Sequence, residues 1–466
     1  MHARENRRSF LKRSAIGGLG LTLLPNCKSV FGYQANERLD IALVGVGGRG
    51  SWFVETIPRI GENVVAMCDV NQRRAAESFA KLPDVPKFQD FRKMLDEKDG
   101  QIDAVIVATP DNTHAVIAAA AMKAGKHVYC EKPLAHDVAE ARALREIAKR
   151  QGVATQMGNQ GTATEALRRS VELIRAGSIG EITEVYVWKD GGSGPLRPPQ
   201  GSQPVPEGLA WDLWLGPVAE RPFHAEWLKW HGWRDFATGN LGNWGAHSAN
   251  LPFMAFEVAS LWHADATTNP PPRIRLSVEV SQIDRIGFPR WEALRYEIPA
   301  RGGLPPVVIQ YHNGAPQDYQ DGPSVGRKRI EELIGRRLDW GDAGERKWKE
   351  HGGCLIVGTE GMIKSTEHNS SFTLLPEGKF AGFEGPPQTL PRSGSHEREW
   401  IAACKGGPKA MSNFDYAGPL IELLMLGNVA TQFGQTLEFD PLACKIVNHA
   451  EADAALRRPY RQGWAL

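Results

Sequence analysis

Three glycines, Gly45, Gly47 and Gly50, stand at the spacing GxGxxG within LVGVGGRG, and Asp69 follows 19 residues beyond the last of them. The apolar run from Leu39 to Val44 ahead of them predicts a strand, and SWFVETIPRI behind them predicts a helix. In that setting the residue types have a defined chemistry. Gly45 permits the tight turn, Gly47 lets backbone N–H groups approach a pyrophosphate, and Gly50 allows close helix–strand packing, so that the helix N-terminus faces the phosphates. Gly48 and Arg49, inside the same loop, are counted with the cofactor-binding residues. Asp69 ends a second predicted strand, NVVAMCD. Its carboxylate suits both ribose hydroxyls and repels a 2′-phosphate, which predicts NAD rather than NADP. Arg73 and Arg74 would serve a 2′-phosphate only by turning inward, and are expected as solvated helix residues.

The elements that must position these groups follow from the pattern. A helix is predicted over 72–81, a short strand at Lys87–Phe88 and a helix over 90–97. The apolar strand DAVIVATP, the helix THAVIAAAAMKAG and the strand HVYCEKP come next. Fully apolar strands alternating with helices predict a doubly wound parallel sheet, here assigned to a dinucleotide-binding domain over residues 36–157. Ligands of such sheets sit outside the carboxyl ends of the strands. Thr109-Pro110-Asp111-Asn112 and Glu131-Lys132-Pro133 occupy two such ends, so with Gly45–Gly50 three distant segments converge on one crevice.

With GVGGRG, ATPDNTH, GKHVYCEKPLA, GNLGNWGAHSAN and the terminal YRQGW, the sequence resembles the glucose–fructose oxidoreductase and inositol dehydrogenase family (Gfo/Idh/MocA) over nearly the whole chain after residue 38. The resemblance implies a Rossmann domain followed, over 158–466, by a substrate-binding α/β domain built on a large, mostly antiparallel sheet. The open face of that sheet would cover the nicotinamide and bind a sugar or polyol. The later sequence agrees: EITEVYVW, RIRLSVEV, PPVVIQYH and GCLIVGTEGMIKS read as strands. EALRRSVELIRAG and AGPLIELLMLGNVATQFG read as helices that lie against the sheet or return to the first domain.

The resemblance sets Lys132 beside the nicotinamide, in contact with a substrate hydroxyl, and suggests a cis Lys132–Pro133 bond. A lysine next to a positively charged nicotinamide has a lowered pKa and becomes usable as a base near neutral pH. His247 matches the family histidine that shares proton transfer with that lysine. The sequence departs from the family at Asn243 and Asn250, where aspartates are common. One helical turn before His247, Asn243 would orient the imidazole by a hydrogen bond without adding charge. Asp235 is a substitute acid or a loop carboxylate. Thr109, Pro110, Asn112 and Glu131 are taken as cofactor-binding. Asn159 and Gln160 would bind the carboxamide or substrate hydroxyls, or serve as turn residues. His114 would approach the substrate or help cap the helix it opens.

Eight of the fourteen tryptophans fall between Trp188 and Trp262, most of them in an insert at 188–245. Aromatic faces suit pyranose rings, yet most of these side chains are expected as core, with one or two of Trp227, Trp230 and Trp233 lining a pocket. Lys189, Arg234 and Asp235 are the polar candidates for substrate binding.

A net charge of +1 without a long basic run gives no footprint for nucleic acid. The six cysteines form no CxxC pair, so no metal site is expected, and Cys68 and Cys130 read as core. Residues 1–35 stand apart from the fold: Arg7-Arg8 followed by SFLK and a short apolar stretch match a Tat export signal, too short to span a bilayer. Export of folded cargo predicts a periplasmic protein without disulfides and without a stable membrane anchor. No NAD pool exists there for exchange, so the expectation is an NAD-dependent oxidoreductase acting on a carbohydrate hydroxyl, with its cofactor held and restored in each cycle. NAD-dependent glycoside cleavage by oxidation, elimination, addition and reduction is the alternative. A non-catalytic exported sugar-binding protein is the alternative of another class. A homo-oligomer is a family expectation.

Overall fold

A computed structural model describes residues 38–466 except 190, 192–193, 265–269, 315–324 and 339–349; the predicted export signal and Cys27 lie outside the described residues. Strands β1 (Asp40–Val44), β2 (Asn63–Cys68), β3 (Lys87–Phe88), β4 (Ala104–Val107), β5 (His127–Glu131) and β6 (Thr155–Gly158) form one sheet in the order β3-β2-β1-β4-β5-β6. All of its pairs are parallel. β4 is buried at every position because helices cover both faces, which is why AVIV shows no polar alternation. Helix starts are fixed by side-chain caps: Asn71 accepts from Arg74 N, Asp90 from Arg92 N and Asp137 from Glu140 N. Cys68 and Cys130 are buried in the core, and the five described cysteines are free thiols.

The second sheet has nine strands: β7 (Ile182–Lys189), β8 (Ile274–Val280), β9 (Glu292–Ile298), β10 (Val307–Asn313), β11 (Gly352–Gly358), β12 (Met362–Thr366), β13 (Phe372–Leu375), β14 (Leu437–Asp440) and β15 (Lys445–Ile446). Their order is β13-β12-β11-β7-β10-β9-β8-β14-β15. Only β7 and β10 pair in parallel; the other neighbours are antiparallel. The two-sheet α/β architecture is the fold class expected from the sequence.

Two later helices tie the halves together. Helix Phe414–Phe433 packs on Val138–Gln151 of the first domain, and its fully buried Glu422 receives Arg142 Nε at 2.8 Å and Nη2 at 2.7 Å. Helix His396–Cys404 sends Trp400 into the first domain's core, 5.6 Å from the ring of Tyr129. Among the described residues, no helix is long and apolar enough to cross a membrane.

Candidate active site

The glycine loop turns where the sequence requires. Gly45 has φ +82, and a Cβ there would lie 2.7 Å from the carbonyl oxygen of Ala108, so neither the backbone nor the space admits a side chain. Asp69 holds the loop from the end of β2: Oδ2 accepts from Val46 N at 2.9 Å and Gly47 N at 3.0 Å, and Oδ1 accepts from Asn71 N at 2.8 Å. Burial raises its pKa against the lowering effect of those three amides. Helix Ser51–Arg59 begins directly after the loop with no side-chain cap. Glycines that let a ligand close to the backbone, an uncapped helix N-terminus and a carboxylate at the next strand end are the donor and acceptor set a dinucleotide needs.

Arg73 and Arg74 part company. Arg73 is solvated, with Glu207 at 3.6 Å. Arg74, though exposed, bends back to donate from Nε to Gly47 O at 2.9 Å and lines the cleft, contrary to the expectation that both would be solvated helix residues. The Asn71 cap starts the helix so early that Arg74 falls in its first turn, facing the loop.

One cleft is lined by Gly45, Gly47, Arg49, Asp69, Thr109, Pro110, Glu131, Lys132 and Asn243. Arg49 donates from Nε to Glu131 Oε1 at 2.8 Å and lies over the ring of Trp52 at 4.6 Å. Gln160 Nε2 donates to the same carboxylate oxygen and to Tyr129 Oη, both at 3.0 Å. The Lys132–Pro133 bond is cis. Lys132 Nζ donates to Asn243 Oδ1. Burial first, then the charge of Arg49, pull the lysine's pKa down, while Glu131 and Asp111 pull it up; the net direction is down. A neutral amide partner, where a carboxylate would hold the proton, leaves the lysine competent as a base closer to neutrality.

The expected hydrogen bond from Asn243 to His247 is absent. Helix Gly239–Asn243 ends and a separate turn, Gly245–Ser248, begins after Trp244, so the two residues are not on one continuous face. Asn250 faces away as well, donating to Thr162 Oγ1 at 3.0 Å and accepting from Tyr416 Oη at 2.6 Å. His247 is buried, with Nδ1 unpartnered and its carbonyl held by Asn369 Nδ2 at 2.6 Å. Burial and the charge of Lys132 depress its pKa strongly. The ring of His368, from the β12–β13 turn, stands edge-on 4.5 Å away.

Several other candidates are bonded within the protein. His114 bridges the carbonyls of Pro133 at 2.7 Å and Thr109 at 2.8 Å, tying two loops of the cleft together. Asn112 donates to Leu215 O at 3.0 Å, and Asn159 to Ala246 O at 3.3 Å, just before His247. Lys189 forms a buried ion pair with Glu367 at 2.9 Å beneath the ring of Trp244. Arg234 donates to Asp284 O and Thr431 Oγ1, at 2.8 and 2.9 Å, and burial lowers its pKa to about 10. Asp235 pairs with Arg221 at 2.6 Å near the surface. Among the described residues no group of His, Cys, Asp and Glu side chains could hold a metal ion.

The tryptophan-rich insert docks on the first domain. Gln72 N donates to Gly208 O at 2.9 Å, Ala210 N to Val70 O at 2.8 Å, and Thr238 Oγ1 to buried Asp111 at 2.7 Å. Trp214, Trp227, Trp233 and Phe236 form the insert's own core. Trp211 stacks on Trp214 at 4.9 Å. Leu213, Trp214, Leu228, Trp230 and His231 line the dinucleotide cleft, joined by Trp464 from the C-terminal tail. Of Trp227, Trp230 and Trp233, only Trp230 is among the cleft-lining residues, and it stands over the cofactor crevice. The sequence reading missed Trp464, whose ring lies 6.2 Å from Phe91.

Fold and cleft together define a Rossmann-type dinucleotide-binding protein with a second, sheet-based domain closing over the carboxyl ends of the strands. Residues 39–159 match the Gfo/Idh/MocA model, described as an oxidoreductase family with an NAD-binding Rossmann fold. The chain is 30% identical over 159 residues to a levoglucosan dehydrogenase of Pseudarthrobacter phenanthrenivorans, covering 31% of this chain and 39% of that protein. It is 28% identical over 198 residues to a "Glycosyl hydrolase family 109 protein" of Solibacter usitatus, covering 38% and 44%. The matches thus span less than half the length of these relatives. Over 86% of this chain and 98% of the other, the fold is similar to the WlbA dehydrogenase of Bordetella pertussis, solved with NADH and UDP-GlcNAcA, at a TM-score of 0.55 and 16% identity.

Proposed function

We propose that this protein is an NAD-dependent oxidoreductase acting on a hydroxyl of a sugar or polyol, with the dinucleotide retained through the cycle. The observation that carries this reading is Lys132: a cleft lysine beyond the glycine loop, bonded to the neutral Asn243 and held below its ordinary pKa by burial. NAD, when bound, would supply reversible hydride transfer at a carbinol carbon. The protein's part is to hold and to move protons. The Gly45–Gly50 loop and the helix after it would hold the pyrophosphate, and Asp69 would meet the ribose. Lys132 takes the proton of the reacting hydroxyl, and Asn243 aims its Nζ. Leu213, Trp214, Leu228 and Trp230 of the insert and Trp464 line the cleft, the support for retention. Relatives named for levoglucosan and inositol dehydrogenases support the substrate class.

Redox-assisted glycoside cleavage is the second reading, favoured by that retention and by the likeness to the protein named for glycosyl hydrolase family 109. Export by the Tat route to the periplasm rests on Arg7-Arg8 and the SFLK that follows. The test is to mix the NAD-loaded protein with a panel of sugars and methyl glycosides. A rise in reduced-nicotinamide absorbance marks oxidation, and free reducing sugar formed without net reduction marks cleavage. Silence in both channels while sugar binds would make it a binding protein and refute the proposal.

A further inference from the structure

Against buried His247, behind the cleft residue Asn243, stands a histidine that the sequence motifs do not single out. His368 sits in the tight turn between β12 and β13, on the second domain. The turn is fixed on every side. Asn369 adopts φ +53, is fully buried, and donates Nδ2 to the carbonyl of His247 at 2.6 Å. Thr164 Oγ1 donates to Asn369 O at 2.7 Å, and Gly161 packs so closely under His368 O that a Cβ there would collide with it. The backbone on both sides of His368 is therefore held against the segments that carry His247 and Gln160. The imidazole itself is exposed. Its ring lies 4.5 Å from His247 and 5.5 Å from Trp244, next in sequence to the cleft residue Asn243.

We propose that His368 is a substrate-contacting residue: its exposed imidazole hydrogen-bonds the sugar oxygen next to the reacting carbinol, while buried His247 positions the ring. The inference rests on the oxidoreductase reading and names a second residue, besides Lys132, that meets the substrate. A hydroxyl on each side of the reacting carbon distinguishes a polyol from a simple alcohol, and two fixed polar groups are what reads that difference. The charges facing His368 come from every neighbouring element: Glu367 on its own turn, Lys189 on β7, Lys132 and Arg49 from the first domain, and His247 beside it. Partial enclosure of the ring and the three cations favour its neutral form, which accepts a hydrogen bond from a hydroxyl; Glu367 opposes them.

The test compares the full-length wild type with His368→Ala and His368→Gln, each loaded with NAD. Calorimetry with methyl β-D-glucopyranoside, methyl α-D-galactopyranoside and myo-inositol is followed by steady-state turnover on whichever binds. His368→Ala is expected to weaken sugar binding at least about tenfold, the size of one lost hydrogen bond to a partly enclosed group, with NAD affinity and Tm unchanged. His368→Gln, whose amide can make the same hydrogen bond, is expected to restore binding and KM. Equal sugar affinity in all three proteins would overturn the inference and leave the oxidoreductase reading standing. A wild type that binds no sugar and turns none over would overturn the reading, and the inference with it.

Discussion

Lys132 shows how one neighbour sets the use of a residue. Its Nζ is bonded to an amide oxygen, so no carboxylate in direct contact stabilises the ammonium form. Replacing Lys132 by Met is expected to lower turnover by about 10²–10⁴, the range for loss of a positioned general base, with the NAD complex intact by fluorescence. Asn243→Asp tests the sign of the pKa argument. A carboxylate on Nζ favours the protonated lysine and raises its pKa, so the acidic limb of the pH–rate profile moves to higher pH. An unmoved limb would mean that Lys132 is not the titrating base. At this scale the sequence was legible where a motif names its own geometry. Gly45, Asp69 and Lys132 all line the cleft. Asn243 was misread because i,i+4 spacing assumes a continuous helix, and the chain breaks at Trp244. Lys189, Arg234 and Asp235 were not legible as internal ion-pair and hydrogen-bond partners, because charged residues near an aromatic insert look alike whether they bind sugar or one another.

The strands and helices of the first sheet follow from apolar runs and caps, whereas the second sheet was only half legible. β9, with the sequence EALRYEI, is made largely of good helix formers, and its strand state comes from pairing with β8 and β10 on both sides. The insert was legible as aromatic and mostly core, but not as a roof, because docking on Val70–Gln72 is a backbone interaction with no side-chain signature. The C-terminal tail belongs to the same roof. Arg458 Nη2 donates to buried Glu140 at 2.7 Å and Tyr460 Oη to the same oxygen at 2.6 Å, which anchors the chain leading to Trp464. Truncation after Pro459 removes Tyr460 and Trp464 and is expected to speed NAD release about tenfold in a stopped-flow displacement experiment, one aromatic contact being worth roughly that factor. An unchanged off-rate would mean that the tail does not retain the cofactor.

Across the whole molecule, the two sheets share one continuous apolar core through helix Phe414–Phe433. The ion pair of Arg142 with Glu422, joined by Trp262 Nε1 at 2.7 Å, crosses that core between the domains. Glu422→Ala leaves Arg142 without its buried partner and is expected to cost about 3–5 kcal/mol in denaturant unfolding. Because the core is shared, the wild type should unfold in one transition, and separate transitions for the two domains would contradict this packing. A cleft closed by elements from both halves also accounts for the central claim, a dinucleotide that stays with the protein. The most direct measurement is mass spectrometry of the small molecules released when the purified protein is denatured in acid. The account predicts NAD, oxidised or reduced, at close to one per chain. Protein that releases no dinucleotide, and gives no heat when titrated with NAD, would contradict it.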